Sequence, residues 1–215
     1  MLGAGVMGAQ IAAHFANAGI PVLLYDLPAK EGDPNGLVNK AIAGLAKQEP
    51  APLGAKDRAA AIEACNYGAH LPRLAEVDLV IEAIAERLDW KKDLYDRIAP
   101  HLPPGAVLAS NTSGLSLAAL SAAVPAHLRT RFCGVHFFNP PRYMYLVELI
   151  AAPQTDPALL DALETLLTTT LGKGVIRAKD TPNFIANRIG VFSVVATMIH
   201  TQRLGLGFDV VDALT

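Results

Sequence analysis

The residues best placed to do chemistry lie in the stretch Gly134-Val-His-Phe-Phe-Asn-Pro-Pro-Arg-Tyr-Met-Tyr-Leu-Val-Glu148. It holds a histidine, an asparagine and a glutamate around a predicted turn between two apolar strands. A hairpin folded about Arg142 sets His136 and Glu148 opposite each other, where their side chains can meet. An imidazole oriented by a carboxylate is a standard way to build a general base. The alternatives are a hydrogen-bonded histidine at a strand end and a Glu148 on the far side of the pleat. Asn139 lies in the breaker cluster between the strands.

A second pattern suggests what such a base serves. Gly3-Ala-Gly-Val-Met-Gly8 matches G-x-G-x-x-G. Its first glycine permits a tight turn, its second lets a pyrophosphate approach the backbone, and its third lets a helix pack against a strand. Gly3, Gly5, Val6, Met7 and Gly8 are thus candidate cofactor contacts at the positive end of a helix dipole. A predicted strand ends at Asp26, 21 residues after Gly5. That is where an acid binds an adenosine ribose diol, and a carboxylate there repels a 2′-phosphate, so the expected cofactor is NAD. The other reading of Asp26 is a plain turn residue.

Weaker signals accompany these. Glu86 follows an apolar strand and either faces a ligand at the sheet's carboxyl edge or caps the next helix. Lys91 is most simply a solvated helix residue. Ser110-Asn-Thr-Ser113 either caps a helix or lines the site. Asn187 is either a polar contact or a site residue. The remaining histidines, His14 among them, read as surface or structural. No cluster has metal-ligand spacing, so no metal is expected.

The elements that must position these residues follow from the pattern of breakers and apolar runs. Helices are expected over 6–18, 37–47, 89–99, 117–123, 157–171 and 184–203. A further alanine-rich helix is expected from after Pro52 to about Ala64. Strands are expected over 21–25, 78–82, 106–109, 131–138, 145–150 and 174–178. This alternation implies an α/β fold with a Rossmann-type, doubly wound and mainly parallel sheet. The expected domains are a nucleotide-binding unit over 1–180, with its first strand reduced to Met1-Leu2, and the beginning of an all-α unit over 181–215. The last long helix is apolar on most faces and expects burial on several sides.

The chain has 215 residues, 52% hydrophobic and 18% charged, with a net charge of -2. Such a composition describes a globular core and carries no nucleic-acid footprint. No apolar run is long enough to span a bilayer, and the basic start of a secretory signal is missing. Cys65 and Cys133 read as buried thiols of a reducing compartment, so the expectation is soluble and cytoplasmic.

Taken together, these residues resemble the 3-hydroxyacyl-CoA dehydrogenases, NAD-dependent enzymes of fatty-acid β-oxidation. The matching stretches are Gly3 to Ala12, Glu82-Ala-Ile-Ala-Glu86, Ser110-Asn-Thr-Ser113, His136-Phe-Phe-Asn-Pro140 with Leu146-Val-Glu148, and Asp180 to Arg188. The resemblance implies oxidation of an acyl-CoA substrate, (S)-3-hydroxyacyl-CoA, to 3-oxoacyl-CoA. It implies His136 as the base and Glu148 as its charge-balancing partner. Ser113, Asn139 and Asn187 would bind the substrate or shape its pocket, and Asp26, Glu86, Lys91 and Ser113 would contact NAD. A homodimer, or a fused or associated enoyl-CoA hydratase, is implied for the parent protein. The rival readings are a non-catalytic NAD-binding remnant and a related dehydrogenase of a small hydroxy acid.

Overall fold

The structure is a computed structural model that describes residues 1–214. The elements run α1 (Val6–Asn17), β1 (Val22–Asp26), α2 (Gly36–Leu45), β2 (Ile62–Asn66), β3 (Leu79–Glu82), α3 (Leu88–Ile98), β4 (Val107–Ser110) and α4 (Leu117–Ala123). They continue with β5 (Phe132–Phe137), β6 (Leu146–Ala151), α5 (Pro157–Thr165), β7 (Gly174–Ala178), α6 (Ala186–Leu204) and α7 (Phe208–Leu214).

β1 pairs with β2, and β3 to β7 form a second run in sequence order. Only the β5–β6 pair is antiparallel among these strands. Leu2 joins the two runs by parallel bridges to Tyr25 and Glu82. The first strand, expected as nearly missing, is therefore short but still central. Leu2 N–H donates to Ile81 O and Ala83 N–H donates to Leu2 O, both at 2.8 Å. Leu2 is fully buried.

Hydrophobic cores lie on both faces. Leu94, Tyr95 and Ile98 of α3 pack with Leu117 and Leu120 of α4 on one side. On the other, Ile11 and Phe15 of α1 pack with Leu159, Leu160 and Leu163 of α5, while α1 also meets α2 through Ala12, Ala16, Val38 and Leu45. This is the layering of a doubly wound fold, which presents its ligand site outside the carboxyl ends of the parallel strands.

One expectation needs correction. The alanine-rich helix expected up to Ala64 is a short 3₁₀ turn over Lys56–Ala61 followed by strand β2. Alanines favour a helix locally, but Ile62 and Cys65 bury against neighbouring layers, and tertiary packing overrides propensity. α6 forms as expected, and the apolar faces that call for burial are largely open among the described residues. Phe192 is 73% exposed and Ile189 62%. Both cysteines are free and buried. No helix among the described residues is long and apolar enough to cross a membrane.

Candidate active site

β5 and β6 pair in the register that the pivot at Arg142 requires, with His136 directly opposite Glu148. His136 Nδ1 lies 2.7 Å from Glu148 Oε2. The imidazole side chain is 6% exposed and the carboxylate 0%. The other oxygen of Glu148 accepts the N–H groups of Ile185 and Ala186, each at 2.9 Å. One buried carboxylate thus orients the histidine and caps α6, where negative charge at a helix N-terminus is favourable. An ionised carboxylate only accepts, so against it Nδ1 is the donor to Oε2. The lone pair of the neutral ring is then on Nε2, which has no hydrogen-bond partner among the described residues.

The backbone that delivers α6 to this carboxylate is strained. Asn183 and Phe184 have φ of 64° and 47°, a left-handed region that costs a non-glycine residue roughly 1–3 kcal/mol. Burial offsets it: Phe184 is 2% exposed, and its ring centroid lies 5.7 Å from that of His136, with Phe138 at 4.5 Å on the same imidazole.

His136 opens onto a cleft of about 340 Å³, whose lining includes Met7, Glu86, Ser113, Asn139 and Asn187. A larger, mostly apolar cavity of about 420 Å³ lies beside Met1, Val22 and Leu79. It is away from these groups and has no comparable set of polar side chains.

The glycine loop lies against this cleft through Met7. Gly3 has φ of 93°. A Cβ on Gly8 would sit 1.8 Å from Gly3 O, whereas one on Gly5 would meet nothing within 4 Å. Gly8 is therefore needed for packing, and Gly5 leaves open backbone at the N-terminus of α1, where Gly5 is the N-cap. Such a cradle fits a pyrophosphate. Asp26 stands at its edge: Oδ2 accepts Ala4 N–H and Oδ1 accepts Leu27 N–H, both at 2.7 Å. Each oxygen retains a lone pair for a ribose hydroxyl. Asp26 is thus tied to the loop itself. The residues present fit a dinucleotide.

Glu86 does not cap α3. Its Oε1 accepts Ser113 N–H at 2.5 Å, Ser113 Oγ at 3.0 Å and Gly114 N–H at 3.2 Å, and Thr112 Oγ1 reaches both of its oxygens at 2.9 Å. Burial alone would raise the Glu86 pKa. The Ser113 and Thr112 hydrogen bonds and the Lys91 charge outweigh it and hold the carboxyl below its usual range. Ser113 thus lines the cleft. The capping of α4 falls instead to Ser116, which accepts Ala119 N–H, and to Asp180, which accepts Leu117 N–H, Ala118 N–H and Ser116 Oγ.

Lys91 is not the solvated residue its helix position suggests. It is 1% exposed, with Nζ 2.6 Å from Glu82 Oε1 and 3.7 Å from Glu86 Oε2. Glu82, which carried no role in the sequence reading, is the hub beneath the cleft. Its Oε1 also accepts Ile84 N–H, and its Oε2 accepts Tyr95 OH and Ser110 Oγ. A glutamate closing the apolar run Leu79-Val-Ile was the available signal, since a buried charge requires partners. Asn111, within the Ser110-Asn-Thr-Ser113 stretch expected to cap a helix or line the site, lines the cleft. Its Oδ1 accepts Phe137 N–H at 2.9 Å and ties β4 to the end of β5 beside His136. No group of His, Cys, Asp and Glu among the described residues could hold a metal ion.

The family described as "3-hydroxyacyl-CoA dehydrogenase, NAD binding domain" matches residues 1–181. A Deinococcus radiodurans protein described as a probable 3-hydroxyacyl-CoA dehydrogenase is 44% identical over 217 residues, covering 100% of this chain and 62% of its own length. A 3-hydroxybutyryl-CoA dehydrogenase of Bradyrhizobium diazoefficiens is 36% identical, covering 99% of this chain and 71% of its own length. The crystal structure of (S)-3-hydroxybutyryl-CoA dehydrogenase PaaH1 from Ralstonia eutropha superposes with a TM-score of 0.73 at 33% identity, over 92% of this chain and 67% of that one. Other relatives are named as fatty acid oxidation complex proteins. The chain therefore belongs to the NAD-binding domain family of the 3-hydroxyacyl-CoA dehydrogenases.

Proposed function

We propose that this chain carries the cofactor site and the proton-transfer pair of an enzyme that oxidises (S)-3-hydroxyacyl-CoA to 3-oxoacyl-CoA with NAD. The observation that carries this reading is the buried His136–Glu148 pair, 2.7 Å apart, beside a cleft that also reaches the glycine loop. On this reading residues 1–180 form the nucleotide-binding unit and residues 181–215 begin a helical one.

Nε2 of His136 accepts the proton of the 3-hydroxyl in the oxidative direction and returns it to the ketone oxygen in reverse. Glu148 holds the ring in the tautomer this requires and stabilises the imidazolium. Ser113 and Asn187 bind the substrate oxygen, and Asn139 shapes the pocket. Gly3, Gly5, Val6, Met7 and Gly8 cradle the pyrophosphate, and Asp26 takes the adenosine ribose. Glu86 faces the nicotinamide end, with Lys91 behind it. Bound there, NAD supplies the hydride acceptor for C3. Relatives named as fatty acid oxidation complex proteins support an enoyl-CoA hydratase fused to or associated with the parent protein. A cytoplasmic setting accords with the two free thiols.

The reading of a small hydroxy-acid dehydrogenase fits less well, because it leaves the His136–Glu148 pair without a task. The test is NADH oxidation by the chain with acetoacetyl-CoA. Turnover supports the proposal. NADH binding without turnover favours a nucleotide-binding chain that does no chemistry alone, a reading that draws support from the exposed apolar residues of α6.

A further inference from the structure

The charges beneath the cleft do not sum to zero. Glu82 and Glu86 are two carboxylates sharing one ammonium, that of Lys91. Glu82 is fully buried and holds Lys91 at the shorter distance, so the charge left over is that of Glu86. Its side chain is 40% exposed and lines the same cleft as His136. Hydrogen bonds from Thr112, Ser113 and Gly114 fix it in place. The imidazole has its own carboxylate, Glu148, buried behind it.

A base and a hydride acceptor must flank the same carbon. The nicotinamide ring therefore shares the cleft with His136 and lies within reach of the Glu86 charge. The ring is cationic when oxidised and neutral when reduced. The pyrophosphate and both riboses are the same in the two forms, so contacts at the glycine loop and Asp26 cancel in the ratio of their affinities.

We propose that Glu86 biases this site toward the oxidised, cationic form of the cofactor over the reduced, neutral form. The proposal rests on the NAD reading above and adds a role for the unbalanced carboxylate. A cleft of about 340 Å³ is about 9 Å across if treated as a sphere. At a separation on the order of 7 Å and an effective dielectric of about 30–60 for a part-exposed charge, Coulomb's law gives roughly a three- to fifteenfold preference. For a two-electron couple each tenfold is about 30 mV, here toward a more negative potential for the bound cofactor. Alcohol oxidation removes the unit positive charge from the ring and places one on His136. Glu86 stabilises the first arrangement and Glu148 the second, which brings the two states closer in free energy than either carboxylate alone would.

The experiment measures the dissociation constants of NAD⁺ and NADH for the wild-type chain, Glu86→Gln and Glu86→Asp. Glutamine retains an acceptor for the Ser113 and Thr112 hydrogen bonds and removes the charge. The ratio Kd(NADH)/Kd(NAD⁺) is expected to fall roughly three- to fifteenfold in Glu86→Gln and to stay near the wild-type value in Glu86→Asp. Raising salt from roughly 0.05 to 0.5 M should lower the wild-type ratio toward that of the glutamine variant, because exposed charges are screened. That salt series decides the matter on the wild-type chain if Glu86→Gln fails to fold. An unchanged ratio in Glu86→Gln, or equal weakening of both forms, overturns the proposal, as does a wild-type ratio indifferent to salt. Binding of neither nucleotide by the wild-type chain is a separate outcome that overturns the NAD reading and the proposal with it.

Discussion

Glu148→Gln isolates the orienting carboxylate with almost no change of shape. Glu148 is fully buried, accepting one contact from His136 at 2.7 Å and two backbone N–H groups of the α6 terminus at 2.9 Å. A glutamine has one acceptor oxygen and one amide donor. Turning the oxygen toward Ile185 and Ala186 satisfies two donors, whereas the flipped amide would set three donor groups against one another. The NH₂ must then face Nδ1, which forces the imidazole into the Nε2–H tautomer. The cleft thereby gains a donor where it had a lone pair. Three bonds to a charged acceptor become neutral, at about 1 kcal/mol each. Relief from burying a carboxylate offsets part of this, leaving a net loss of about 1–3 kcal/mol. At roughly 2–4 °C per kcal/mol for a chain of this size, Tm should drop by about 2–12 °C. Turnover should fall by about 10²–10⁴-fold, the span of a lost general base. The tautomer is read directly from ¹⁵N shifts and couplings of the His136 ring at alkaline pH. The expected result is a proton on Nδ1 in the wild-type chain and on Nε2 in the variant. The same tautomer in both would refute the reasoning, even if activity were lost.

Three further outcomes follow from the geometry. Gly5→Ala should fold with unchanged or slightly raised stability, since its Cβ meets nothing within 4 Å and the substitution stiffens the unfolded chain by about 0.4–1 kcal/mol; NADH affinity by titration should nonetheless fall at least about tenfold, or 1.4 kcal/mol, because the methyl fills the cradle. Gly8→Ala should instead lose several kcal/mol of stability in urea unfolding, as its Cβ would lie 1.8 Å from Gly3 O. His14 is buried in α1 with no side-chain partner; burial first, then the neighbouring Lys173, depresses its pKa from 6.5 to about 4. The unfolded state takes up the proton first as pH falls, so the contribution is fully present above about 6.5, is lost between there and about 4, and amounts to about 3 kcal/mol at 1.4 kcal/mol per unit. Unfolding of His14→Leu at neutral and acid pH should show that acid limb flattened.

The central hairpin was legible because β register is a counting problem: once Arg142 is the pivot, the pairing of His136 with Glu148 follows. The glycine loop was legible because its three glycines have separate steric reasons, and Gly3 and Gly8 display theirs in a positive φ and a blocked Cβ. What sequence reasoning missed depends on distant packing. Residues 62–66 became a strand because β1 offered an open edge, not because Ile62-Glu-Ala-Cys-Asn66 shows clear alternation. Lys91 looked solvated because its partners stand nine and five residues earlier, beyond the strand end that aims them at it. The second use of Glu148, as the cap of α6, joins positions 37 and 38 residues apart. Two consecutive left-handed residues, Asn183 and Phe184, bring them together; asparagine is a type that takes that conformation more readily than most, but Phe184 gives no such signal.

The most direct test of the central claim compares His136→Ala with the wild-type chain in NADH oxidation by acetoacetyl-CoA, with NADH affinity measured on the same samples. The account predicts turnover in the wild-type chain, a kcat loss of about 10²–10⁴-fold in the variant, and an NADH Kd that barely moves, since the glycine loop and Asp26 lie on other elements. A variant that keeps its turnover, or that loses NADH binding in step with it, would contradict the assignment of His136 as the base.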